Sequence, residues 1–158
     1  MFIPLTIALI NPFQGPAETH MDFWVGNWKF SGRARKTATE WTEISGKNSI
    51  KKVQGGKVVL ETFDGAGFTG QSWSVFDAND KVWKQTWVDN SGGYLLFEGG
   101  KVGDKFILSQ VNIPKNKPKL SMRMVFQSIT PKSFEWLWQS STDSGKTWSS
   151  VYEIKYTK

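Results

Sequence analysis

Cysteine is absent from the 158-residue chain, and histidine occurs once, at His20. The first absence excludes disulfides, thiolate nucleophiles and cysteine metal centres, and fits a reducing or an oxidising compartment equally. With the single histidine lying ahead of every strand expected from the sequence, neither a Ser-His-Asp triad nor a multi-histidine metal site is expected within one chain, and no metal is expected. Arginine is nearly as scarce. Only Arg33, Arg35 and Arg123 carry a guanidinium fork, and the other basic residues are lysines scattered along the chain. A net charge of +6 spread in this way solubilises strands and blunts sheet edges rather than forming a footprint for base readout, so no nucleic-acid partner is expected.

Long apolar runs are missing too. The N-terminal stretch MFIPLTIALINPFQGPAETH loosely resembles a secretory signal, but it has no positive n-region, Pro4 interrupts it, and it is too short to span a bilayer. Residues 1–20 read either as a degenerate signal or as an apolar arm packed on a domain covering residues 21–158. The first reading places the protein in the periplasm or outside the cell and the second in the cytoplasm, so the compartment stays open. His20 reads as a solvated residue of this segment. The length suits one domain able to bury roughly two-thirds of its unfolded surface.

What the chain has in abundance is aromatic residues and glycine: 9 Trp, 11 Phe and 15 Gly. These suit pleated surfaces joined by tight turns. From residue 26 onward the chain divides into short alternating segments with no sustained helical periodicity, and strands are expected near 27–36, 39–53, 57–64, 70–77, 82–89, 93–98, 104–111, 120–128, 133–140 and 147–157. Turn signals separate them, among them GG at 55, GAG at 65, DAND at 77, DNSGG at 89, GG at 99 and TDSGK at 142. Short connections between about ten successive strands predict an all-β, antiparallel up-and-down barrel. MDFWVGNW, before the first strand, reads as a helical turn closing one end. Residues 112–119, rich in Pro and Lys, read as a longer loop.

Two motifs in this sequence are structural. GAGFTG at 65–70 matches G-x-G-x-x-G, but a strand follows it where a dinucleotide site needs a helix, so it reads as a hairpin loop. STDSGKTW at 141–148 resembles the Asp-box of sialidases: Asp143 caps the turn amides, Gly145 takes a positive φ, and Trp148 enters the core.

The segment WKQTWVDNSGGY at 83–94 supplies the candidate site. Strand alternation puts Trp83, Gln85 and Trp87 on one face and Lys84, Thr86 and Val88 on the other. With the preceding hairpin turning through residues 77–81, Trp73 and Val75 fall beside Gln85 and Trp83; on the other side Leu95 and Phe97 flank Trp87 and Gln85. The expected interior is therefore aromatic, with an amide that needs a partner. Glu61 in VVLETF and Glu135 in SFEWLW read first as solvent-facing; turned inward, either would acquire a raised pKa suited to acid or base work. Alternation leaves the facing of 133–139 open, with Phe134, Trp136 and Trp138 forming one set. It sets Arg123 opposite to Met122, Met124 and Phe126, and one reading lets Arg123 enter the cavity to grip a ligand carboxylate.

The stretches FWVGNW at 23–28, GFTGQSW at 67–73, WKQTWVDNSGG at 83–93 and SSTDSGKTW at 140–148 together resemble an uncharacterised bacterial family of lipocalin-like (calycin) domains. Gly26-Asn27-Trp28 is similar to the G-x-W that opens the first strand of such barrels. The resemblance implies a barrel with a pocket at one end, with Gly26 and Trp28 at the closed end. It also implies an arginine lying across the G-x-W indole, a second role open to Arg123. With His20 outside the strands, a haem held by a late-strand histidine is not expected, and neither is another cofactor. The function expected is binding of a small, largely apolar ligand by Trp73, Trp83, Gln85, Trp87, Leu95, Phe97 and Arg123. The alternative is a metal-independent lyase, isomerase or cyclase using a buried carboxylate with Arg123.

Overall fold

The computed structural model describes residues 11–158. Ten antiparallel strands follow one another in sequence: β1 (Gly26–Arg35), β2 (Trp41–Val53), β3 (Val58–Gly65), β4 (Phe68–Asp77), β5 (Val82–Asp89), β6 (Tyr94–Val102), β7 (Lys105–Gln110), β8 (Ser121–Thr130), β9 (Ser133–Ser141) and β10 (Ser149–Thr157). Each pairs with its neighbours in sequence, and β1 pairs with β10 to close the barrel. Closure leaves no unpaired edge. The all-β up-and-down barrel expected from the sequence is the architecture observed, with a short helical segment at the N-terminal side.

The turn chemistry explains the hairpins. In GAGFTG, Gly65 pairs with Phe68, and Ala66 and Gly67 both take positive φ, at 54° and 86°. That is the two-residue hairpin geometry whose twist matches the flanking strands. In STDSGKTW, Asp143 accepts hydrogen bonds from the Lys146 and Thr147 amides and from the Thr147 and Ser141 hydroxyls. Trp148 departs from expectation: it is half-buried, donates to the Gly145 carbonyl, and lies under Arg123 rather than in the core. Gly99-Gly100 is a second correction. It lies within β6, where a Cβ on Gly99 would meet the Ile107 carbonyl oxygen of β7 at 2.1 Å. Gly99 permits close strand approach, while a Cβ on Gly100 would meet nothing within 4 Å; the turn comes at Gly103.

One end of the barrel is plugged. Two 3₁₀ turns, Ala17–Thr19 and Asp22–Trp24, bring Phe13, Met21 and Trp24 into the core, where Phe23 packs edge-on to Phe126 and Phe134. Polar bonds fix the plug: Trp83 Nε1 donates to the Ala17 carbonyl at 2.9 Å, Trp28 Nε1 to the Trp24 carbonyl at 2.7 Å, and Lys52 pairs with Asp22 at 2.6 Å. His20 bonds the Gly15 carbonyl and meets the Phe13 ring edge-on. The N-terminal segment called at 1–20 falls in part outside the described residues, which begin at 11. No helix among the described residues is long and apolar enough to cross a membrane.

Candidate functional site

Above the plug the interior holds a cavity of about 200 Å³. Its walls come from nearly every strand: Ile44, Phe63, Phe68, Trp87, Leu95, Phe97, Met124, Trp136, Trp138 and Tyr152, with Trp24 of the plug among the lining residues. Tryptophan and phenylalanine fill the inward positions because alternate residues of an antiparallel strand face the core. On β9 the inward set is Phe134, Trp136 and Trp138, which settles the ambiguity of that strand. The Trp136 and Trp138 rings lie nearly parallel, 6.4 Å apart.

The polar groups in this apolar chamber are few and grouped. Glu61 of β3 is 7 % exposed and lines the cavity, against the solvent-facing expectation. Its Oε1 accepts from Asn48 Nδ2 of β2 and its Oε2 from Ser72 Oγ of β4, both at 2.6 Å. Burial pushes the carboxyl up to about 7, while the Ser72 hydroxyl and the Asn48 amide pull in the opposite direction. Tyr156 of β10 lines the same wall; burial, and then the nearby Glu61 charge, raise its hydroxyl far above the ordinary phenol. Gln85 of β5, 4 % exposed, donates from Nε2 to Ser74 Oγ at 2.9 Å. The amide between two indoles thus has a protein partner on the adjacent strand.

At the mouth, Asp89 ends β5 and organises the DNSGG turn. It accepts from the Ser91 and Gly93 amides, and its Oδ2 receives Trp87 Nε1 at 2.9 Å. The Ser91 hydroxyl, with these donors, holds the Asp89 carboxyl down to about 2. A wall tryptophan is thereby tied to the rim. Among the described residues, two buried side-chain atoms have no hydrogen-bond partner, Trp24 Nε1 and Asn48 Oδ1. Both belong to this region, one in the cavity lining and one beside Glu61.

The structure brings Gln85, Trp87, Leu95 and Phe97 to the cavity. Trp83 faces inward but below it, against Phe106 and Phe76 at the plugged end. Trp73 is a correction: it is 41 % exposed on the outer face, with Val75 beside it. The observed register pairs Ser74 with Gln85 and Phe76 with Trp83, one residue away from the expected pairing, and a one-residue slip reverses every side chain. Arg123 is another. It faces outward, its Nε donating to Gln139 and its guanidinium stacked 3.9 Å over Trp148, so it neither enters the cavity nor covers Trp28. Trp28 is buried at the plugged end, and the cation over its ring is Lys158, at 4.5 Å. A Cβ on Gly26 would meet the Lys158 side chain at 2.8 Å. Glu135 bonds Gln127 and Ser128 on the outer face. A carboxylate and a guanidinium therefore do not converge, and the arrangement needed by the enzymatic alternative is not formed. Among the described residues no three His, Asp or Glu side chains are grouped to hold a metal.

Sequence reasoning missed Asn48, Ser72, Ser74 and Tyr156. The available signal was QSWSVF, whose serines alternate with apolar residues and match the polar groups on β3 and β5.

No curated protein matches the chain. The crystal structure of Rv2717c from M. tuberculosis is similar in fold, with a TM-score of 0.61 over 91 % of this chain and 98 % of that one, at 12 % identity. A family model matches residues 15–158, which takes in the plug and every strand of the barrel, and the chain belongs to that family, described as protein of unknown function (DUF1579).

Proposed function

We propose that the protein binds a small, largely apolar molecule with a polar end, inside the barrel. The resemblance to lipocalin-like domains implies the same use of the fold. The observation that carries the reading is the grouping of Glu61, Gln85 and Tyr156 within a chamber whose lining, apart from Asp89 at the mouth, is otherwise aromatic and aliphatic. Ligand sites combine apolar walls with a few placed polar groups in this way. A barrel packed solid would leave no such space; an apolar cavity of about 150 Å³ already admits benzene, and this one has about 200 Å³. The volume suits a ring-sized body with a short substituent.

Tryptophan emission tests it, because Trp87, Trp136 and Trp138 are in the walls. Ring-sized amphipathic molecules should give a saturable change. A flat response across substituted benzenes, indoles and short-chain alcohols would remove the proposal.

A further inference from the structure

We propose that the cavity selects a small aromatic or alicyclic amine in its protonated form, with the ammonium held by Glu61. The proposal rests on the ligand-binding reading above and names its chemical class. The charges lining the chamber carry it: Glu61 and Asp89 are both acidic, and no Lys, Arg or His is among the lining residues. This occurs in a chain of net charge +6 whose ion pairs among the described residues lie elsewhere. Buried carboxylates ordinarily have a cationic partner. Among the described residues, Glu61 has hydrogen bonds from Asn48 and Ser72 but no cation.

The remaining coordination favours a donor-rich head. A carboxylate offers about four lone-pair sites, and two protein donors occupy part of them. Gln85 gives one of its two amide N–H groups to Ser74, so its carbonyl oxygen, an acceptor for an ammonium, and its second N–H remain for a cavity ligand. An ammonium brings three donors and no acceptor. The indole walls add attraction for a cation over their faces. The fold has already stripped Glu61 of water, so the ligand bears only its own desolvation. A carboxylate ligand of the same shape would meet Glu61 as a like charge with no cation to offset it.

The groups facing Glu61 are Asn48 from β2, Ser72 from β4 and Tyr156 from β10, with Asp89 at the mouth. Asp89 is ionised throughout the neutral range and Tyr156 is not. Glu61, pushed up to about 7, is thus the group in the chamber whose charge changes there. Amine binding should strengthen as Glu61 ionises.

Isothermal titration of the full chain with 2-phenylethylamine, 2-phenylethanol and phenylacetate tests the proposal. At pH 8 the amine should bind at least tenfold more tightly than the alcohol, and phenylacetate more weakly than either. The amine-to-alcohol ratio should fall to near one in Glu61→Gln and persist in Glu135→Gln, which alters a carboxylate on the outer face. If Glu61→Gln does not fold, the wild type decides: amine affinity should rise between pH 6 and pH 8 while alcohol affinity stays level, and a level amine affinity overturns the proposal. Phenylacetate binding as tightly as the amine overturns amine selection, an amine preference surviving in Glu61→Gln overturns the placing of the ammonium on Glu61, and either result leaves the ligand-binding reading in place. No binding of any of the three overturns both.

Discussion

Glu61 shows how one residue links fold to stability. Its carboxyl is raised from an ordinary 4.5 to about 7 by burial, so the folded state holds its proton more tightly than the unfolded state. That contribution is fully present below pH 4.5, declines as the unfolded chain ionises first, and is gone above about pH 7, where both states are ionised. At 1.36 kcal/mol per unit, the decline is about 3 kcal/mol at most. Glu61→Gln keeps a side chain able to bond Asn48 and Ser72 and removes the titration. Urea unfolding should therefore give similar stabilities for variant and wild type near pH 4.5 and a variant more stable by up to about 3 kcal/mol at pH 8. A difference that does not change with pH would show that Glu61 is not buried as described. The facing of this residue was not legible from β3 alone, because VVLETF carries apolar residues on both faces. It becomes legible only with Ser72 and Asn48 across the ladder.

At the scale of elements, the strands were largely readable because Gly, Asp and Asn mark their ends, and the face assignment of β5 follows from its lysine and its tryptophans. β4 was misread for a physical reason. Its central apolar residues, Trp73 and Val75, face out, and between the inward Phe68 and Phe76 its serines face in to serve Glu61 and Gln85. A strand inverted over its middle defeats the rule that the apolar set is the inner set. The same strand holds Gly70 under the Trp87 indole, where a Cβ would stand 2.3 Å from Cζ2. The indole has little freedom to yield, since its Nε1 is bonded to Asp89. Gly70→Ala should cost about 1–3 kcal/mol by overpacking and shift the tryptophan emission as Trp87 leaves Asp89. Wild-type stability with unchanged emission would contradict this account of the β4–β5 hairpin.

At the scale of the whole molecule, nine of the ten strand pairings join neighbours in sequence, most of them through short turns and β7 to β8 through the longer loop at 111–120, but the tenth joins the two ends of the barrel. β1 meets β10 in the register Phe30 to Tyr156, and no turn residue encodes that contact. Side-chain packing does. Tyr156 stacks on Phe134 at 4.6 Å and tilts against Phe30 at 5.4 Å, while Phe134 meets Trp28 edge-on at 4.8 Å. β10 thus completes both the ladder and the aromatic layer beside the cavity, to which it gives Tyr152, Ile154 and Tyr156. Ending the chain after Trp148 removes β10 and leaves β1 and β9 as unpaired edges with Trp28, Phe30 and Phe134 uncovered. Such a chain should keep strand-rich far-ultraviolet dichroism, lose the near-ultraviolet signal of its packed tryptophans, bind the dye ANS and unfold without a cooperative transition. Those changes would appear together, because a barrel short of one strand loses its closure and its core layer in a single step. Cooperative unfolding of the shortened chain at an unchanged midpoint would mean that nine strands close by themselves and that β10 only covers them.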